Sequence, residues 1–324
     1  YLGQEDALKH AAIAIAAILA VAARAEAQAD GRYVVVFHDG VDAEAASMDL
    51  LATHGGTADA VFNGRVKGFA GAIGAGRARA MARDARVKFV EVDGVVTTVG
   101  KPSSQAPQPP PPPPPQSTPT GIVRIGAAGK AGPFAASVAV IDTGVDYNHS
   151  DLNAVNGATF VKGAVTALDQ NGHGSHVAGT IGAMDNTVGV VGVAPGIRIV
   201  AVQVLNKQGS GFNSWVIGGI EWVTDNAAAK GIRVANMSLG GGTSDALDAA
   251  VQESIDSGIV YALAAGNETD DAVNHSPARV VDALTVAALN DANGIADAAD
   301  VLASWSNYWS RVDLIAPGVS IKST

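Results

Sequence analysis

The apolar positions of this chain follow two different patterns, separated by a run of prolines. In residues 31–100 strand-like and helix-like stretches are mixed. Residues 33–37 (YVVVF) read as a strand, 42–54 as a helix and 62–73 as a strand pair. A second helix is expected over 76–86 and a closing strand over 87–92. That order predicts a small α+β unit of ferredoxin-like type. From residue 121 onward, short apolar runs alternate with helical stretches. Strands are expected at 137–141, 198–205, 233–239, 259–265 and 283–289, and helices at 173–183, 213–230 and 244–257. The runs are nearly continuous in apolar character, which implies burial on both faces, as in a parallel sheet. The second pattern therefore predicts an α/β fold with a doubly wound, mostly parallel sheet. Ligands of such sheets bind beyond the carboxyl ends of the strands.

Between the two lies residues 101–119, KPSSQAPQPPPPPPPQSTP, with seven consecutive prolines at 109–115. Such a run cannot donate backbone hydrogen bonds and adopts polyproline II, a semi-rigid spacer. An SH3-type ligand is the alternative; the spacer fits a secreted chain better.

The ends and the charge narrow the function classes. Residues 11–23 are thirteen apolar residues, preceded by Lys9 and His10 and followed by AEAQA. A membrane span needs roughly 20, so the stretch reads as the core of a secretory signal over residues 1–29, with an ordinary alanine-rich helix as the alternative. A secreted protein without a stable membrane anchor is expected. The net charge of −10, with no long basic run, argues against nucleic acid as a partner. With no cysteine among the 324 residues, a disulfide framework and a thiol nucleophile are both excluded.

The expected strand ends deliver polar residues to one crevice. The strand in VAVIDTGVD runs into Asp142, RVANMSL runs into Ser238, Leu239 and Gly240, and IVYALAA runs into Gly266 and Asn267. His173 opens a helix in the same half of the sheet. Taken singly, each has a plainer reading: a turn or helix cap for Asp142 and Asn267. The His173–His176 pair lies on one helical face and could bind a metal. However, no third ligand follows at zinc spacing, and an HExxH arrangement is absent. Jointly, at the ends of one sheet, these residues read as catalytic. A dinucleotide site fails, because DTGVD follows the first strand where a glycine-rich phosphate turn is required.

Four segments in order, DTGVD, NGHGSHVAGT, NMSLGGG and AAGN, resemble the signatures of the subtilisin-like serine proteases, the subtilase family. YVVVFHDG, VKGFAGAI and VKFVEVDG in the first unit are similar to the family's inhibitor-type propeptide. The resemblance implies residues 31–100 as propeptide, 101–119 as linker and 120–324 as catalytic domain. It implies a secreted serine endopeptidase acting through an Asp-His-Ser triad and made as a self-processing precursor. Asp142 would orient His173, His173 would act as general base and acid, and Asn267 would donate to the oxyanion. Ser238, Leu239 and Gly240 would line the specificity pocket, and Gly209, Ser210 and Gly211 the opposite wall. His176 packs its helix. Calcium is implied as a structural cofactor, held by the side chains of Gln116, Asp151 and Asn186 and the carbonyls of Met184, Val188 and Val190; an oxygen-only set with one carboxylate suits it. Polypeptide substrates, the chain's own propeptide as intramolecular inhibitor and a monomeric state follow as well.

One departure matters. The family's nucleophile sits in a GTSMA-type motif, which has no match in residues 1–324; GGGTSDA at 240–246 lies where relatives have a surface loop. The 324-residue polypeptide is accordingly expected to be inactive by itself. The alternative from another class is a non-catalytic fragment that binds peptides or inhibits.

Overall fold

The computed structural model describes residues 31–100, 114–130, 132–291, 294–297 and 299–324. The expected signal and residues 101–113 of the proline linker lie outside them. The chain forms two compact units. One runs to Asn63 and includes Lys67–Asp93; the other comprises Gly94–Thr324 with Gly64–Val66.

In the first unit, β1 (Arg32–Phe37), α1 (Ala43–His54), β2 (Ala60–Phe62), β3 (Gly68–Ala72), α2 (Ala75–Met81) and β4 (Val87–Val92) follow in order. The four strands form an antiparallel sheet of order β2-β3-β1-β4. Val35, Phe37, Leu50, Phe69, Ile73 and Met81 meet in its core, each worth about 1.5–3 kcal/mol when fully buried. Asp42 caps α1 by accepting the Ala45 N–H. Helix α2 stops earlier than the expected residue 86. The Asp84 carboxylate takes the Arg86 N–H and guanidinium, a local turn that competes with further helix.

In the second unit, β6 (Ser137–Asp142), β7 (Ala154–Thr159), β8 (Arg198–Gln203), β10 (Ile232–Met237), β12 (Val260–Ala264), β13 (Leu284–Asn290), β14 (Val301–Leu302) and β15 (Leu314–Pro317) form one sheet. Its order is β14-β13-β12-β10-β6-β8-β7, with β15 also on β13, and all pairs are parallel except β13–β14. The six residues of β6 are all buried, as its unbroken apolar run requires. Among the described residues four α-helices accompany the sheet: α3 (Thr120–Arg124), α4 (His173–Gly182), α5 (Asn213–Lys230) and α6 (Asp245–Asp256). Ser244, in the GGGTSDA segment, is the buried N-cap of α6 and accepts the Leu247 N–H. One sheet face carries exposed Val260, Leu284 and Leu314. Among the described residues no helix is long and apolar enough to cross a membrane.

Three departures from the sequence expectation bear on the site. The expected strand over 233–239 breaks at Ser238, leaving β10 and a separate short strand β11 (Leu239–Gly241). Two further strands, β5 (Val95–Thr98) and β9 (Ser210–Phe212), join β11 in a small antiparallel sheet of order β11-β5-β9, with β5 paired to both others. The end of the expected first unit, after Asp93, therefore belongs by contact to the second. Finally, the last part of the expected linker is not a free spacer: Pro115 and Ser117 bridge to Val188 and Val190.

Candidate active site

Strand β6 ends on Asp142, which is fully buried. Its Oδ1 receives the Thr143 N–H at 2.7 Å and lies 2.7 Å from His173 Nδ1. Among the described residues no hydrogen bond reaches its Oδ2, so the imidazole is its main charge partner. His173 is the first residue of α4, and the backbone on either side of it needs glycine. Gly172 has φ 102°, a left-handed conformation that other residues rarely adopt. A Cβ on Gly174 would stand 2.0 Å from the Gly144 carbonyl. The helix start and the turn after Asp142 are thus in direct backbone contact, which puts the two side chains in reach. Burial by itself pushes the His173 imidazole down. The hydrogen bond and charge of Asp142, the Val99 carbonyl and the charge of Asp169 outweigh it and leave the pKa above the ordinary value.

His173 Nε2 faces the Val99 carbonyl at 3.4 Å. Strand β5 leads to that carbonyl between two walls. Val95, Val96 and Thr97 pair with Phe212, Gly211 and Ser210 on one side; Val96, Thr97 and Thr98 pair with Gly241, Gly240 and Leu239 on the other. The Thr98 N–H donates to the Gly209 carbonyl at 2.9 Å and the Val99 N–H to the Ser238 carbonyl at 2.9 Å. Val96 is fully buried while Val95 is exposed, the alternation expected of a strand added to an existing edge. All six residues expected to line the substrate cleft therefore contact one extended segment of the same chain.

Asn267 follows β12. Its side-chain amide lies beside the Gly100 N–H and the Gly266 carbonyl; turned so that oxygen and nitrogen face matching partners, it would accept the first at 3.3 Å and donate to the second at 3.1 Å. The loop that carries it is braced by Asn307, which is fully buried. Asn307 accepts the N–H groups of Glu268 and Asp270 and donates to the Ala265 carbonyl and the Glu268 carboxylate. Sequence reasoning missed Asn307, for which no local signal exists. It also missed Asp169, although an Asp shortly before a helix start is a capping signal. His176 lies outside the cleft, with Nε2 on the Ile321 carbonyl at 3.1 Å.

The six residues expected at a cation site also meet. Gln116 donates to the Met184 carbonyl at 2.9 Å, and Asn186 donates to Asp151 at 2.7 Å while accepting the Val188 N–H. Asp151, only 1 % exposed, accepts the Val190 N–H at 3.3 Å. Among the described residues no lysine or arginine pairs with this buried carboxylate, and no group of three or more His, Cys, Asp or Glu side chains that could hold a metal ion is gathered here or at any other place.

A parallel sheet whose strand ends bring a buried aspartate, a histidine and an asparagine to a groove holding extended chain defines a subtilisin-like fold. Residues 135–324 match the family model described as "Subtilase family", and the chain belongs to that family of serine peptidases. It is 36 % identical over 314 residues to subtilisin NAT of Bacillus subtilis subsp. natto, covering 93 % of this chain and 75 % of that protein. It is 48 % identical over 186 residues to alkaline serine exoprotease A of Vibrio alginolyticus, covering 57 % of this chain and 32 % of that one. Among solved structures, a cold-adapted subtilisin-like serine proteinase superposes with a TM-score of 0.52 at 47 % identity, covering 59 % of this chain and 66 % of its own.

Proposed function

We propose that this protein is the precursor of a secreted serine endopeptidase, and that the Val99–Gly100 bond is its own first substrate. The observation that carries the reading is the placement of the Val99 carbonyl against His173 Nε2, with Nδ1 held by buried Asp142. In this reading His173 takes the proton of a serine hydroxyl as the hydroxyl attacks the carbonyl, then returns it to the leaving amine. Asp142 holds the tautomer and stabilises the imidazolium. Asn267 donates to the oxyanion of the tetrahedral intermediate. Ser238–Gly240 and Gly209–Gly211 bind polypeptide substrates as β5 is bound, by main-chain pairing. The first unit acts as an intramolecular inhibitor of inhibitor-type propeptide class, with residues 95–99 left in the cleft as product.

Among the described residues the hydrogen-bond partner of Nε2 is the Val99 carbonyl rather than a serine. The nucleophile in this reading belongs to a GTSMA-type motif outside residues 1–324. The test is labelling with a serine-directed fluorophosphonate. Residues 1–324 should not label, whereas a polypeptide continued through such a motif should label and cleave peptides. Labelling of Ser244, Ser306 or Ser320 in the shorter polypeptide would overturn this assignment.

In this reading the ion at Asp151 is calcium: the carboxylate is buried and, among the described residues, pairs with no lysine or arginine, and the side-chain oxygens of Gln116 and Asn186 with the carbonyls of Met184, Val188 and Val190 would complete an oxygen-only set. The ion would supply stability and take no part in the chemistry. At a free concentration 100-fold above Kd it adds about 2.7 kcal/mol, so chelation by EDTA should lower the Tm of a calcium-loaded sample by several degrees. An unchanged Tm would remove calcium from the reading.

A further inference from the structure

Asp169 stands behind the histidine–aspartate pair, and its carboxylate gathers hydrogen bonds from two separate segments. Its Oδ1 accepts from Thr143 Oγ1 at 2.9 Å, the Asn171 N–H at 2.8 Å and the Gly172 N–H at 3.0 Å. Its Oδ2 accepts from the Ser175 N–H at 2.9 Å and Ser175 Oγ at 2.7 Å. Thr143 directly follows Asp142, and its hydroxyl oxygen in turn accepts the Gly174 N–H at 3.0 Å. Asn171, Gly172, Gly174 and Ser175 surround His173 on both sides.

We propose that Asp169 is a positioning residue for the Asp142–His173 pair: one carboxylate locks the turn after β6 to the first turn of α4, so that Nδ1 of His173 meets Oδ1 of Asp142. A simple helix cap would take N–H groups from its own turn alone. Here the Thr143 hydroxyl comes from 26 residues away in sequence, and it is the residue whose N–H rests on Asp142. Removing the carboxylate would leave hydroxyl and amide donors from both segments facing each other without an acceptor, which costs more than the loss of one bond. The arrangement also places a second negative charge near the imidazole. The charges of Asp142 and Asp169 both raise the pKa of His173.

The inference rests on the reading of His173 as general base, but its test does not need peptidase activity. In the 324-residue polypeptide the His173 imidazole is titrated by NMR with ¹⁵N labelling. Asp169→Asn keeps the size and one acceptor oxygen while removing the charge. It should lower the His173 midpoint by about half a pH unit or more, and Asp169→Glu should recover most of the fall. The exposed Asp225→Asn gives the effect of losing one remote charge. In Asp169→Ala the Gly172 and Ser175 amides should also lose at least about tenfold of their exchange protection. A His173 midpoint in Asp169→Asn that falls no further than in Asp225→Asn overturns the proposal, and that reading stands even if the alanine variant fails to fold. Failure of the peptidase reading would appear instead as absent labelling in the longer polypeptide, with the titration unaffected.

Discussion

Replacing His173 by alanine, in a polypeptide that carries the nucleophilic serine, should lower kcat by about six orders of magnitude, a scale set by a subtilisin relative and not by this geometry. In the proposed mechanism His173 is the group that accepts the hydroxyl proton, so without the imidazole only residual acceleration from Asn267 and the binding contacts should remain. Asp142→Asn should cost about 10⁴-fold, because an amide cannot hold the Nδ1–H tautomer as the carboxylate does. The two variants differ in pH dependence. In the proposed mechanism the base must be neutral, so activity of the unaltered enzyme should rise with pH through the raised pKa of His173. In Asp142→Asn the largest raising influence is gone and burial still pushes the imidazole down, so the acid limb should move to lower pH. Stability changes in the opposite sense. With a folded value above the unfolded ~6.5, the imidazolium stabilises the fold below that pH, and the contribution is lost as pH rises through the folded value. An unshifted acid limb in Asp142→Asn would mean that the 2.7 Å contact does not govern the imidazole.

Processing should produce a new N-terminus at Gly100. The Val99 carbonyl lies 3.4 Å from His173 Nε2, and the ladder to both walls sets that register. N-terminal sequencing of the mature form checks it; a start after Pro115, near Gln116, would place the cut in the proline segment instead. Thr98→Pro removes the N–H that donates to the Gly209 carbonyl and puts a ring into a strand paired on both sides. It should slow processing by at least about tenfold while leaving cleavage of added peptides by mature enzyme unchanged. Processing at an unaltered rate in that variant would show that β5 pairing does not deliver the bond.

Much of this site is readable from residue order alone. The unbroken apolar run of β6 declares a strand buried on both faces, and the rule for parallel sheets then puts Asp142 at the ligand edge. Helix α5 matches its expected bounds, 213–230, and ends at Gly231 in the left-handed conformation that glycine supplies. These features are local: side-chain period, cap chemistry and glycine placement act within a few residues, so the chain states them directly. What only the tertiary structure decided joins distant backbone. Thr97 pairs with Ser210 on one side and Gly240 on the other, and main-chain hydrogen bonds of this kind are indifferent to side-chain identity. Gln116 reaches Met184, and Asp169 reaches Thr143, through polar contacts whose partners share no period or motif. Asn307 braces the Asn267 loop from about forty residues away in sequence because a buried amide can satisfy several donors and acceptors at once. The order of the residues determines which elements exist and where their ends fall; the folded chain determines which polar groups are left to satisfy one another there.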